Sequence, residues 1–313
     1  MIVAYCLLIA VGLYIVFVVA PAVVAYKSVF TRKTGTPFVV RDLTKTPLEP
    51  HISRISEDFE YFNDCVHEQV SIETFDGERL IGEYYPMGQG KLAICVHGYN
   101  STPLNCFCAM GRYLMELGYD VLLVSQRAHG ESEGSHSTLG VLEQFDVICW
   151  SRWACEKQEI QKVILAGVSM GCTSVEYAAE KIKDVKVKAM ILDCGYISPY
   201  GQISTDCRKR HIPAGLLMPV ISLCAKTELG IDLKQPVWQS LEKTSIPALF
   251  VHGEKDETVP VSETKINYDH CASPKSIYIS GKAYHAGTFI YDREEAENKL
   301  RVFLETYVER GNE

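Results

Sequence analysis

Apolar positions fall along this chain in three regimes. From Met1 to Tyr26 no Asp, Glu, Lys, Arg or His occurs. As a helix, Ile2 to Ala20 would rise about 28 Å, close to the hydrocarbon thickness of a bilayer. Pro21 is expected to kink or end that helix near one interface, with Tyr26 as an interfacial anchor. A polar stretch from Thr31 to Asp64 follows, carrying Pro37, Pro47 and Pro50. It reads as a juxtamembrane linker whose second half, around Ile52 to Phe62, forms a short helix on the main domain. From Glu68 the third regime begins: Val70 to Phe75 alternates apolar and polar, Asp76-Gly77 gives a turn, and Leu80 to Tyr85 returns. That pattern predicts an antiparallel hairpin.

Beyond the hairpin, continuous apolar runs alternate with amphipathic ones. Strands are predicted at Leu92 to Val96, Val121 to Ser125, Val163 to Ala166, Ala189 to Leu192, Ala248 to Val251 and Ile277 to Ile279. Helices fit Leu104 to Leu117, Val141 to Cys155, Cys172 to Ile182 and Arg293 to Tyr307. Unbroken apolar strands separated by helices predict an α/β fold, a mostly parallel sheet covered on both faces. Between Tyr196 and Ser245 the rhythm stops. That insertion, with the apolar run Ala214 to Ala225 around Pro219, predicts a small helical cap. The expected organisation is therefore an anchor over 1–26, a linker over 27–66 and a catalytic-sized domain over 67–313, with the cap at about 197–245.

The first segment has two readings. Ala20-Pro21-Ala22 resembles a signal-peptidase site, but no basic side chain precedes the apolar run, and that run exceeds an ordinary signal-peptide core. A retained single-pass anchor is the expectation. Lys27, Arg32, Lys33 and Arg41 all follow the span, which places the bulk of the protein in the cytoplasm. Several of the twelve cysteines (Cys95, Cys149, Cys172, Cys194) fall inside core elements without framework spacing, as free thiols in a reducing compartment would. Cys106-x-Cys108 lacks a second ligand pair and does not read as a zinc site. A net charge of −8 argues against nucleic acid as a partner.

Candidate chemistry sits at strand ends, where ligands bind in open α/β sheets. Gly167-Val168-Ser169-Met170-Gly171 follows one strand and opens a helix, the signature of a nucleophile elbow. His97-Gly98-Tyr99, Asp256 and His285 follow three other strands. The order Ser169, Asp256, His285 is that of the α/β-hydrolases and differs from the chymotrypsin and subtilisin orders. In such a triad the serine attacks an acyl carbonyl, the histidine takes its proton, and the acid orients the imidazole. Asp193 also ends a strand and competes for the acid's role, and His252 and His129 compete with His285.

From about Val70 to Val308 the chain resembles α/β-hydrolases, most of all bacterial serine aminopeptidase-like and cinnamoyl-esterase-like hydrolases. The resemblance is carried by His97 to Tyr99, Gln126 to Gly134, Gly167 to Gly171, His252 to Pro260 and Tyr284 to Gly287. It implies an oxyanion hole at the backbone N–H groups of Tyr99 and Met170, with His97 ordering the oxyanion turn and Arg127 and His129 bracing the next loop. Those hydrolases usually carry Asp where Gln126 stands, which leaves that loop's hydrogen bonding open. Glu143, Asp146 and Trp150, on one helix, read as packing or solvated positions. Arg208-Lys209-Arg210-His211 reads as a solvated charge run with reach to anionic headgroups, and Leu216, Leu217, Met218 and Val220 as cap packing or an acyl pocket.

These readings predict a membrane-anchored serine hydrolase acting on a small acyl ester or lipid-derived substrate, with no cofactor and no metal. Acyl-thioesterase, lipase and aminopeptidase activities use the same triad, and a non-catalytic binding protein is the contrasting class. The oligomeric state and the substrate's name are not encoded in any motif.

Overall fold

In a computed structural model of the chain, residues 1–32, 43 and 46–309 are described. Pro37, Lys33 and Arg41 of the predicted linker lie outside the described residues. By packing, the chain divides into two units, one of residues 1–31 with 198–236 and one of residues 32–197 with 237–313.

The larger unit is built on one eight-stranded sheet. Its strands are β1 (Glu68–Glu73), β2 (Arg79–Tyr85), β3 (Lys91–Val96), β4 (Asp120–Val124), β5 (Lys162–Val168), β6 (Val187–Asp193), β7 (Ala248–Gly253) and β8 (Lys275–Ser280). They lie in the order β1-β2-β4-β3-β5-β6-β7-β8. The hairpin strands pair antiparallel, and β2 pairs antiparallel with β4. All pairings from β4 to β8 are parallel.

Both faces of the central strands are buried, which is why their sequences are continuous apolar runs. Successive side chains still alternate. Ala93, Cys95, Ile164, Ala166 and Val168 join the core under Phe107, Met110 and Phe303. Leu92, Ile94, Val163 and Leu165 join the opposite core with Trp150, Val175 and Phe250. The covering helices are Pro103–Glu116, Glu143–Glu156, Met170–Ala178, Val261–His270 and Arg293–Leu304. The expected helix in the linker is Ile52–Asp64. It buries Ile55, Asp58 and Phe62, three and four residues apart. Phe62 enters the core, and Asp58 accepts hydrogen bonds from Arg293 at 2.8 and 2.9 Å and from Arg112 at 3.1 Å. This part of the linker thus belongs to the folded domain.

The smaller unit corrects two expectations. Pro21 does not end the first helix, which continues from Ile2 to Phe30. A π-helical turn at Ile15–Val19 lies just before the proline. Such a turn widens the hydrogen-bond ladder where the proline ring would otherwise strike the carbonyl four residues back. Tyr26 is likewise not an exposed interfacial ring: it is buried. Val18, Ala22, Tyr26 and Phe30 form a buried stripe at four-residue spacing. The helix packs there against the insertion helix Ala214–Leu229, which buries Leu217, Met218, Ile221 and Ala225 at matching spacing. The insertion is helical, as its sequence predicts, with Pro199–Lys209 preceding Ala214–Leu229.

Candidate active site

The elbow is forced by crowding. Ser169 joins β5 to the helix Met170–Ala178 with φ 55° and ψ −117°, a conformation that L-residues avoid. A Cβ on Gly167 would come within 2.6 Å of Cys172 backbone, and one on Gly171 within 1.9 Å of the Val96 carbonyl oxygen. Neither position admits any residue but glycine while the strand and helix stay this close. Ser169 N–H donates to the Asp193 carbonyl at 2.8 Å, fixing the elbow to the end of β6.

Two other strand ends meet the serine. His285 Nε2 is 3.0 Å from Ser169 Oγ, and its Nδ1 is 2.6 Å from Asp256 Oδ2. The carboxylate also accepts the Thr258 and Val259 backbone N–H groups at 2.7 and 2.9 Å. His252 Nε2 lies 3.0 Å from Asp256 Oδ2. Burial alone would raise the Asp256 pKa, but the bonds from His252 and His285 outweigh it and hold this carboxyl well below the usual carboxylate range. A permanently ionised acid fixes the proton of His285 on Nδ1 and leaves Nε2 as the acceptor facing Ser169. His252 is itself fixed at Nδ1, 2.7 Å from Thr264 Oγ1. Its Nε2 also faces the Val259 carbonyl oxygen at 3.0 Å, so His252 serves the acid and its loop.

Asp193 does not share this geometry. It is fully enclosed, its Oδ1 has no hydrogen-bond partner, and burial pushes its carboxyl up to about 6. Because the folded-state value lies above the ordinary 3.8, the cost of its buried charge is fully present above pH about 6 and disappears towards pH about 4. Asp193→Asn is expected to melt higher than the parent chain at pH 7.5. Calorimetry should find that advantage shrinking as the pH is lowered through this window.

The turn after β3, at Gly98 to Asn100, is held by two neutral histidines. His97 Nε2 accepts the Gln126 N–H at 3.1 Å and its Nδ1 bonds the Gly98 carbonyl at 2.7 Å. Burial drives the His97 pKa down to about 3, so both bonds are made by the neutral ring. His129 repeats the arrangement, accepting the Asn100 N–H at 3.1 Å while Nδ1 bonds the Arg127 carbonyl at 2.9 Å. Cys106 Sγ accepts the Gly98 N–H at 3.4 Å, a contact nothing in its sequence context announces. Gln126 satisfies the loop that its departure from Asp left open: its amide donates to the His97 carbonyl and accepts from Ser174 Oγ. Gly98 runs beside the serine, a Cβ there lying 3.3 Å from Ser169 Cβ. Tyr99 follows it, and Met170 supplies the first amide of the elbow helix, one of the orphan donors of any helix start.

Charged braces behind this loop correct the reading of Glu143 and Asp146 as packing or solvated positions. Asp146 is buried and accepts two bonds from Arg127, at 2.8 and 2.6 Å. Arg127 also reaches Asp76 at 2.9 and 3.2 Å. Glu143 accepts the Thr138 and Gly140 N–H groups at 2.7 and 2.9 Å. Trp150 does pack in the core. Arg127→Ala is expected to cost about 3–5 kcal/mol, because Asp146 is left as a buried, uncompensated charge. Denaturant melts should show that loss, and the double variant Arg127→Met/Asp146→Leu should recover most of it.

Among the described residues, one group clusters metal-ligand types: Cys194 Sγ lies within 4.8 Å of ligand atoms of Asp256 and His285. Burial pushes the Cys194 thiol well up, so it stays protonated and is a poor ligand.

The family pattern of the α/β hydrolase fold matches residues 92–210. The Pyrococcus furiosus esterase Pf2001 superposes with a TM-score of 0.65 at 21% identity, covering 88% of this chain and 99% of that one. The chain has the α/β-hydrolase fold. Among curated relatives of this hydrolase, YqkD of Bacillus subtilis, itself uncharacterized, is 28% identical over 68% of this chain and 70% of its own length. A thermostable monoacylglycerol lipase of Bacillus sp. is 23% identical over 69% of this chain and 89% of its own.

Proposed function

We propose that this hydrolase cleaves carboxylic esters through an acyl-enzyme on Ser169, held at a membrane by the helix Ile2–Phe30. The observation that carries the reading is the continuous relay from Ser169 Oγ through His285 to Asp256, at 3.0 and 2.6 Å. His285 Nε2 takes the hydroxyl proton as Ser169 Oγ bonds to the acyl carbon. The carbonyl's electron pair moves onto its oxygen, where the N–H groups of Tyr99 and Met170 receive it. When the intermediate collapses, His285 returns the proton to the departing alkoxide, and a water then repeats the sequence to release the carboxylic acid. Asp256 stays ionised throughout and stabilises the imidazolium.

A monoacyl lipid is the substrate class we favour. A single-pass anchor would hold the site near dissolved lipid, and the match to the relative named a monoacylglycerol lipase covers 89% of that relative. Lys27, Arg32, Lys33 and Arg41 follow the span, which supports a cytoplasmic domain. Protease added to inside-out vesicles should digest that domain; its survival there would reverse the orientation. For the chemistry, full-length protein is treated with a fluorophosphonate and the adduct mapped by mass spectrometry. The expected adduct is on Ser169, and turnover should favour monoacylglycerols over aminoacyl amides. No adduct on folded protein, under conditions that label a known serine hydrolase, would overturn the reading.

A further inference from the structure

The smaller unit carries an apolar surface beyond the N-terminal helix. Tyr26 lies against Cys224 and Glu228, at the C-terminal end of the insertion helix Ala214–Leu229. The turn Ile15–Val19 packs on that same helix. The two helices must therefore run in the same direction, with the first turn at Ala214–Leu217 beside Ile15–Val19. Their polarity changes at one height. The first charged side chain of the N-terminal helix is Lys27, that of the insertion helix is Lys226, and both fall level with Tyr26.

Above that level the exposed face of the insertion helix carries Lys226, Thr227 and Glu228; below it, it carries Gly215, Leu216, Pro219 and Leu223. Leu216 and Leu223 are 55% and 61% exposed, as open as Ile9 of the N-terminal helix at 61%. Just before this helix stand Arg208, Lys209, Arg210 and His211, all exposed, followed by exposed Ile212. A cationic collar joined to an apolar tip is the pattern of a segment that enters a bilayer between anionic headgroups.

We propose that the insertion docks into the bilayer beside the anchor, with Leu216 and Ile212 in the acyl region and the 208–211 run among anionic phosphates. This rests on the anchor reading. If Ile2 marks the far edge of a hydrocarbon layer of about 30 Å, its near edge falls close to Pro21. A first turn level with Ile15–Val19 then reaches about 5–8 Å below that edge, the depth at which interfacial helices lie. The long side chains of Arg208, Lys209 and Arg210 span the remaining distance to the headgroups.

The test uses full-length protein in vesicles of phosphatidylglycerol and phosphatidylcholine brominated on the acyl chains. Single variants Leu216→Trp and Ile9→Trp report depth by quenching, relative to the parent chain, whose Trp150, Trp153 and Trp238 lie in the larger unit. Fluorophosphonate labelling verifies that each variant is folded. Both added tryptophans should lose about half of their emission, as acyl-buried rings do. Reversing Arg208, Lys209 and Arg210 to Glu should restore the Leu216→Trp emission and leave Ile9→Trp quenched. Quenching of Ile9→Trp alone would overturn the docked insertion and leave the anchor standing. Quenching of neither would overturn the anchor, and the docked insertion with it.

Discussion

Ser169→Ala is expected to lower turnover of a monoacyl ester by about 10⁵- to 10⁶-fold while the protein stays folded. In the proposed mechanism the hydroxyl supplies the atom that bonds to the acyl carbon, and neither nearby thiol would substitute for it. Cys172 is buried three residues later with burial pushing its thiol well up, and Cys194 is in the same condition. Neither thiol offers an anionic nucleophile. The turn at Gly98 to Asn100, the proposed oxyanion turn, does not depend on the hydroxyl, since His97 and His129 hold it through the backbone. Residual activity over water should therefore persist, and stability should change by less than about 1 kcal/mol. Turnover by the alanine variant within tenfold of the parent would remove Ser169 from the mechanism.

Asp256→Asn is the second large effect, a loss of about 10⁴-fold in kcat. An amide there presents N–H where His285 Nδ1 now donates, so the ring would turn to the tautomer with its proton on Nε2. That ring cannot accept a proton from Ser169. The lost negative charge also leaves the imidazolium without a charged partner. Asp193→Asn is the matched control. Its carboxyl is buried nearby without the short bond to His285, so its kcat should stay within about tenfold of the parent. A kcat loss confined to the Asp193 variant would exchange the roles of the two acids.

How far the sequence reached depended on the range of the forces involved. The strands β3 to β7 were legible because a sheet covered on both faces demands uninterrupted apolar runs. The elbow was legible because the Gly167 and Gly171 contacts arise within a few residues of the serine or against the adjacent strand. The braces were not. Arg127 meets Asp76 across 51 residues, and a short acidic turn looks the same whether or not a guanidinium covers it. Glu143 and Asp146 carry the composition of a solvated helix face, and only the loops folded over them bury that face. Cys106 was legible as a thiol but not as a support for Gly98.

The N-terminal segment draws the line between the two kinds of information. Its length and its lack of charge, set by the residues alone, determine a helix with the apolar reach of a bilayer. Nothing in the sequence could reveal the stripe Val18, Ala22, Tyr26 and Phe30, because a helix that is apolar all round gives no contrast between its faces. The insertion helix, two hundred residues away, chooses that face by packing against it. In the same way the sequence set a serine, an acid and a histidine at strand ends. Only the sheet order, which puts β7 and β8 on the same side of β5, brought their atoms within hydrogen-bond distance. Local periodicity and crowding are written residue by residue, whereas pairing between distant segments depends on the closed packing of the whole chain.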